Sequence, residues 1–235
     1  MKTMKTTIWL KILLKAALIM YVGLFALFSF SQETHEEELG TWLVVFGKSR
    51  LTESIDFVTE LRWQNYQVFN DLDNAFIRTG LNYNVVPNLA ITVGYIHQFS
   101  HTLDAHSVSE NRLYEEITLK NNIKNIRVAH RYRIEHRWIN RQGETQLSHR
   151  FRYRIQCTKA LSEKFYVRVF DELFINLKKP SFNQNRLHFG LGYQLNPSLQ
   201  LEVGYLKNHF SEIDYDRIRF GFNFKTNFVK KPNAQ

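Results

Sequence analysis

Several kinds of residue are scarce in this chain of 235 residues. It has one cysteine, four prolines and ten glycines, which excludes a disulfide scaffold, a cysteine-rich zinc module and collagen-like or proline-rich polymers. Its mean hydropathy is −0.35, so it lacks the repeated runs of about 20 apolar residues that a bundle of membrane-spanning helices needs. Walker loops, dinucleotide fingerprints and zincin helices are absent as well, and we therefore predict no cofactor and no metal.

The N-terminal region predicts export. Four lysines precede an apolar run over 16–30, and Ser29-Phe30-Ser31 supplies the small residues that a signal peptidase reads. The glutamates that follow argue against a permanent transmembrane anchor, which would carry positive charge on that flank. We therefore expect a cleaved signal peptide over 1–31. Its removal takes away four lysines and no acidic residue, so the formal net charge falls from +9 to +5, and nucleic acid is not a predicted partner.

Beyond residue 38 the apolar residues recur at every second position, which is the period of a β-strand. Between 126 and 138, apolar residues such as Ile126, Tyr132 and Trp138 stand at even positions, and most odd positions hold arginine. Even and odd positions of a strand face opposite sides of the sheet. Such runs exceed the five or six residues of an average strand in a soluble β-sandwich. They suit a transmembrane β-barrel, whose strands need about 9–11 residues with the apolar face outward. A periplasmic β-sandwich is the alternative architecture.

The fold that this pattern predicts is all-β, a single antiparallel, transmembrane, up-and-down β-barrel over residues 39–228. A periplasmic segment over 32–38 precedes it and a tail over 229–235 follows it, in the outer membrane of a Gram-negative bacterium. Bacterial single-chain barrels have even strand counts because both termini lie in the periplasm. We therefore expect ten strands, if 39–47 lies outside the wall, or twelve, if a loop hides a strand. The alternating stretches are 39–47, 53–66, 74–85, 88–99, 111–121, 124–138, 146–157, 164–177, 185–195, 198–209 and 216–228.

Two similar hairpins indicate which end of the barrel faces the periplasm. Gly80–Tyr95 and Gly190–Tyr205 both consist of a strand, a tight turn centred on proline, and a second strand. Short turns of such barrels lie on the periplasmic side, so Pro87 and Pro197 mark that end. The long outer loops are then expected at 100–110, 139–146, 178–182 and 208–214.

Several strings of residues resemble a known family. They are His130–Trp138, Arg150–Arg154, Asp171–Asn176, Asn183–Leu187 and the Gly-Leu-Gly-Tyr hairpin that begins at Gly190. Together they look like a domain-of-unknown-function family of small outer-membrane β-barrel proteins of Bacteroidota-type Gram-negative bacteria. The resemblance implies an outer-membrane β-barrel, and we expect outer-membrane lipid and the barrel-assembly machinery as its partners. It carries over no catalytic residue, because the family has no assigned activity.

The polar face of the alternating strands predicts a lumen rich in arginine. Like charges opposite each other destabilise a sheet, so carboxylates from other strands must balance them, with Glu60, Glu116, Glu172 and Glu202 as candidates. A regular hairpin would pair Trp138/Leu147, His136/His149, Glu135/Arg150, Arg133/Arg152 and Arg131/Arg154. The predicted lumen charge network, either structural or an ion path, comprises Arg127, Arg131, Arg133, Glu135, Arg137, Arg150, Arg152, Arg154, Arg168, Glu172 and Arg186.

These residues leave several functions open. One is a structural barrel plugged by arginine–carboxylate bridges, and another is a narrow pore that favours anions. An interfacial lipid-modifying enzyme is an alternative, because Glu115 would approach His130 if the tight turn is Asn122-Ile123, and His136 would approach His149. No serine shares that face beside them, so we expect no enzyme. A surface-binding barrel that acts through its outer loops is a further possibility.

Overall fold

The computed structural model describes residues 39–101 and 107–229, so the predicted signal peptide and the segment 32–38 lie outside the described residues. Within them no helix is long and apolar enough to cross a membrane. The described residues form eleven strands. They are β1 (Gly40–Arg50), β2 (Ile55–Gln67), β3 (Asn70–Val86), β4 (Leu89–His101), β5 (Ser107–Ile123), β6 (Ile126–Arg141), β7 (Glu144–Ala160), β8 (Phe165–Asn176), β9 (Phe182–Asn196), β10 (Leu199–His209) and β11 (Asp214–Asn227).

These strands close into one barrel. Each strand pairs antiparallel with the next along the chain, and β1 closes the wall by pairing in parallel with β11. The parallel ladder runs without a break from Gly40 opposite Arg217 to Arg50 opposite Asn227. The predicted all-β barrel is confirmed, whereas the prediction of ten or twelve strands is wrong for this wall of eleven. Residues 40–50 belong to the wall, and an odd number of strands closes because its first and last strands run in the same direction.

Alternation along each strand decides which side chains face the interior. On β6, Arg131, Arg133 and Glu135 are buried, whereas Tyr132 and Ile134 are exposed. The large exposed side chains are apolar on most strands, so the wall is apolar outside and polar inside. This sidedness is the one expected of a barrel surrounded by lipid and the reverse of a soluble β-sandwich.

The two ends of the barrel differ in their connections. Turns of two to four residues join the strands at the end that carries Pro87 and Pro197, which we call the proline end. We call the opposite end the loop end. There the chain leaves the wall after β8 at Asn176 and re-enters it at Phe182, close to the loop predicted over 178–182. The predicted loop over 139–146 is wrong. There β6 and β7 continue to a two-residue turn, Gln142-Gly143, whose φ angles of 52° and 91° suit a type I′ hairpin.

Small residues on the inner face make room for large ones. Tyr114 on β5, only 1% exposed, packs its hydroxyl against Gly94 on the neighbouring strand β4 and Gly80 on the strand beyond it, β3. A Cβ at Gly80 would lie 2.5 Å from the Tyr114 hydroxyl and 2.9 Å from the Val93 carbonyl oxygen. Gly80 and Gly94 therefore make room for the Tyr114 side chain on the inner face.

Replacing Gly80 with valine is expected to lower the free energy of unfolding by about 1–3 kcal/mol, the usual result of overpacking a filled interior. Denaturant unfolding of the refolded barrel, followed by tryptophan fluorescence, measures the change. Thr79→Val, a nearly isosteric change on the next residue of the same strand, serves as the control. Equal stability of the two variants would show that Tyr114 moves aside at no cost.

Candidate functional site

The interior of the barrel contains a cavity of about 1020 Å³. Its lining reaches from Pro87 and Asn88 at the proline end to Tyr66 and Phe210 at the loop end. Among the described residues, the lining includes fourteen arginines and three lysines but four carboxylates. The cavity wall is therefore strongly cationic. The carboxylates are Glu60, Asp73, Glu116 and Glu172.

Glu135 anchors the centre of this charged interior. Its carboxylate is fully buried and lies 2.7 Å from Arg150, 2.6 Å from Arg152 and 3.5 Å from Arg133. These side chains belong to the β6–β7 hairpin, whose predicted register is confirmed for every pair from Arg131/Arg154 to Trp138/Leu147. The register places Arg133 directly opposite Arg152, and Glu135 lies between the two like charges.

Further carboxylates extend the network across neighbouring strands. Glu116 on β5 lies 2.5 Å from Arg133 and 3.6 Å from Arg131. Glu172 on β8 accepts hydrogen bonds from Arg152 at 2.6 and 2.9 Å, and also pairs with Arg131. A continuous chain of ion pairs therefore crosses β5, β6, β7 and β8.

Separate ion pairs lie around this network, and each carboxylate holds two arginines. Glu60 contacts Arg62 at 2.7 Å and Arg78 at 3.0 Å. Glu202 contacts Arg168 at 2.7 Å and Arg219 at 2.5 Å. The four carboxylates predicted as arginine partners are confirmed in that role.

Glu110 and several lumen arginines were missed by the sequence analysis. Glu110 is 3% exposed and lies 2.5 Å from both Arg112 and Arg137, although the sequence places it in an outer loop. It lies in the wall because β5 begins at Ser107. Alternation along the strand is the signal that could have found these residues. Each missed arginine stands an even number of positions from a residue of its strand that faces the lumen. The missed arginines are Arg62, Arg78, Arg112, Arg217 and Arg219.

Three arginines of the predicted network make no ion pair within the described residues. Arg127 is exposed at the proline end, where it lines the cavity. Arg154 and Arg186 lie deeper and contact aromatic rings, with Arg154 5.2 Å from the ring centre of Phe170 and Arg186 4.5 Å from that of Trp42. Favourable cation–π contacts offset part of the cost of their burial.

The outer face carries the histidines considered for catalysis. His136 and His149 do meet, with their Nδ1 atoms 2.8 Å apart, and Glu115 lies 3.3 Å from His136 Nε2. The predicted approach of Glu115 to His130 is wrong, because the turn lies at 124–125 and the register places Glu115 opposite Ile134. In the described part of the chain no group of three or more histidine, cysteine, aspartate or glutamate side chains is arranged so that it could hold a metal ion.

These features define a class of protein by its fold, a closed β-barrel with an apolar outer surface and a charged interior. The structure of a NanC porin has a similar fold, with a TM-score of 0.52 and 12% sequence identity, over 79% of this chain and 97% of that one. The chain belongs to the family described as "Protein of unknown function (DUF2490)", which matches residues 39–219. No curated protein matches the chain.

Proposed function

We propose that this protein is an outer-membrane channel whose narrow lumen favours anions. The observation that carries the proposal is the cavity lining, in which arginines and lysines greatly outnumber carboxylates. Rings of arginine and lysine lower the electrostatic barrier to an anion and raise it for a cation.

The outer surface supports membrane placement. Leu61, Ile77, Phe189 and Val203 are 46–56% exposed on strands around the wall. So much exposed apolar surface is stable when lipid covers it, and strands of 11 to 17 residues are long enough to cross the hydrocarbon core. We place the proline end in the periplasm, because the shorter connections are there. Since β1 begins at the loop end and runs parallel to β11, this placement puts the start of β1 on the outer side and replaces the expectation that the chain enters and leaves the wall from the periplasm. The partners implied are outer-membrane lipid and the barrel-assembly machinery.

The proline end has the charge pattern of an anion entrance. Lys120, Lys225 and Arg127 line the cavity there, are exposed, and make no ion pair within the described residues. Lys48, also in the lining, contacts Asp56 at 2.8 Å. Unpaired cations at a mouth concentrate anions and exclude cations, and their effect weakens as salt rises.

Single-channel recordings in planar bilayers test the proposal. We expect discrete steps with a preference for chloride over potassium. Lys120→Glu combined with Lys225→Glu should lower the anion-to-cation permeability ratio by about threefold or more, because the exposed mouth changes sign. The matched control is Lys178→Glu with Lys179→Glu, which makes the same charge change on a loop outside the cavity lining.

A plugged structural barrel is the second candidate, and the continuous ion-pair chain across β5–β8 favours it. Crossed arginine–carboxylate bridges fill a narrow interior and stabilise it. A folded barrel that stays silent at every voltage would support this plug and overturn the channel. Cation preference, or selectivity unchanged by the mouth variants, would also contradict the proposed channel. We propose no catalytic role. His136 contacts His149 and Glu115, His130 contacts the Tyr153 hydroxyl, and these described contacts include no serine, threonine or cysteine.

A further inference from the structure

Arginines of three strands, β6, β7 and β9, surround one carboxylate on β8 with positive charge. Glu172 on β8 lies directly opposite Arg154 on β7 and Arg186 on β9 in the strand register. Its Oε1 atom accepts hydrogen bonds from Arg152 at 2.6 and 2.9 Å and from Arg131. One carboxylate therefore faces four arginines. Arg131 and Arg152 bind it, whereas Arg154 and Arg186, which stand directly opposite it in the register, do not.

Arg154 and Arg186 have no carboxylate of their own. Neither makes an ion pair in the described part of the chain, and both line the cavity. The Nε atom of Arg154 is buried without a hydrogen-bond partner, and its guanidinium lies over Phe170. Arg186 is 9% exposed, donates from Nε to Asn208 Oδ1 at 2.8 Å, and lies over Trp42. Both guanidinium groups therefore keep N–H donors open towards the cavity.

Elsewhere between the two ends of the lumen, each carboxylate faces fewer arginines. Glu60, Glu110 and Glu202 each hold two arginines through direct contacts. Burying a charge without a counter-charge is costly, and this stretch of wall contains two such guanidinium groups. An anion that enters the cavity removes that cost.

We propose that Arg154 and Arg186 supply the open donors of an anion-binding site around Glu172, and that its ligand is an oxyanion of the carboxylate or phosphate class. Guanidinium groups bind such oxyanions through pairs of N–H donors. Arg131 and Arg152 already bind that chemistry in the form of the Glu172 carboxylate. The site rests on the proposed channel, which is the route by which the anion arrives.

Calorimetric titration of the refolded, detergent-solubilised barrel with inorganic phosphate at low chloride tests the site. We expect saturable binding that Arg154→Gln with Arg186→Gln weakens about tenfold or more. Glu172→Gln should tighten binding about threefold or more, because it removes the negative charge that competes for the same arginines. Arg141→Gln, an exposed arginine outside the cavity lining, is the matched control and should change the affinity less than twofold.

The test distinguishes this site from the channel. Absent binding, or a double variant that binds as tightly as the wild type, would overturn the site. If the double variant does not fold, as judged by heat-modifiable electrophoretic mobility, the single variants replace it, and wild-type affinity in both overturns the site. Because binding needs no conduction, a silent barrel that binds phosphate overturns the channel alone. A conducting barrel that does not bind phosphate overturns the site alone.

Discussion

Replacing Glu135 with leucine is expected to lower the free energy of unfolding by about 3–5 kcal/mol, among the largest effects of any single change in this protein. Glu135 is fully buried, and its two oxygens contact Arg150, Arg152 and Arg133. Without the carboxylate, three guanidinium groups repel one another in an interior that water screens poorly. The penalty comes from the charges left behind, so it exceeds the net contribution of the ion pairs themselves.

Denaturant unfolding in detergent or bilayers, followed by tryptophan fluorescence, measures this loss. Glu163→Leu is the matched control, since Glu163 is exposed in the turn between β7 and β8 and makes no ion pair within the described residues. Its effect should stay within about 0.5 kcal/mol. Glu135→Gln separates charge from shape, because glutamine keeps one acceptor oxygen, and we expect an intermediate loss. A Glu135→Leu barrel as stable as the wild type would show that water or mobile anions reach this cluster and screen it.

The alternation of apolar and polar residues along the chain explains why the strands of the wall were predictable. Each strand of a barrel presents one face to the outside and one to the inside, so a local period of two assigns Arg131 inward and Tyr132 outward without knowledge of the partner strand. The register of β6 and β7 was predictable as well. The prediction assumed a regular hairpin, because an offset of two residues would keep both apolar faces on the same side. The two-residue turn at Gln142-Gly143 fixes the register that is observed.

The strand count was not predictable in the same way. Alternation within 40–50 identifies a strand but not its partner or its direction. That β1 pairs in parallel with β11 depends on residues more than 170 positions apart in the sequence. The general expectation of an even count then favoured the wrong answer, because it assumes a wall that closes antiparallel.

The charged interior was predictable where arginines recur along one strand. The repeated arginines on β6 and β7 indicate a polar face directly. Arg62, Arg78 and Arg219 lie in strands with fewer arginines, so their sequences indicate a charged inner face less clearly. Ion pairs that skip a strand depend on side-chain reach across the lumen. Arg131 on β6 meets Glu172 on β8 across β7, a contact that no local pattern encodes.

Replacing Val203 with arginine is expected to cause the second large loss in the free energy of unfolding. This variant tests whether lipid covers the wall. Val203 lies near the middle of β10, is 48% exposed, and stands between Leu191 and Phe220 in the register. At the centre of a bilayer an outward arginine costs about 2–4 kcal/mol, falling to about 0–1 near the interfaces. Unfolding of the barrel from phospholipid bilayers measures this cost, and Ser181→Arg in the loop between β8 and β9 is the control.

The outcome depends on where the new guanidinium can go. Its paired neighbours are apolar, so no carboxylate beside it neutralises the charge. The wall separates it from Glu202, the inward residue that precedes it, whose carboxylate is already held by Arg168 and Arg219. In water the same arginine would be hydrated and would cost almost nothing. A full loss for Val203→Arg beside a negligible one for Ser181→Arg therefore requires lipid on this face, and equal stability of the two variants would contradict a transmembrane barrel.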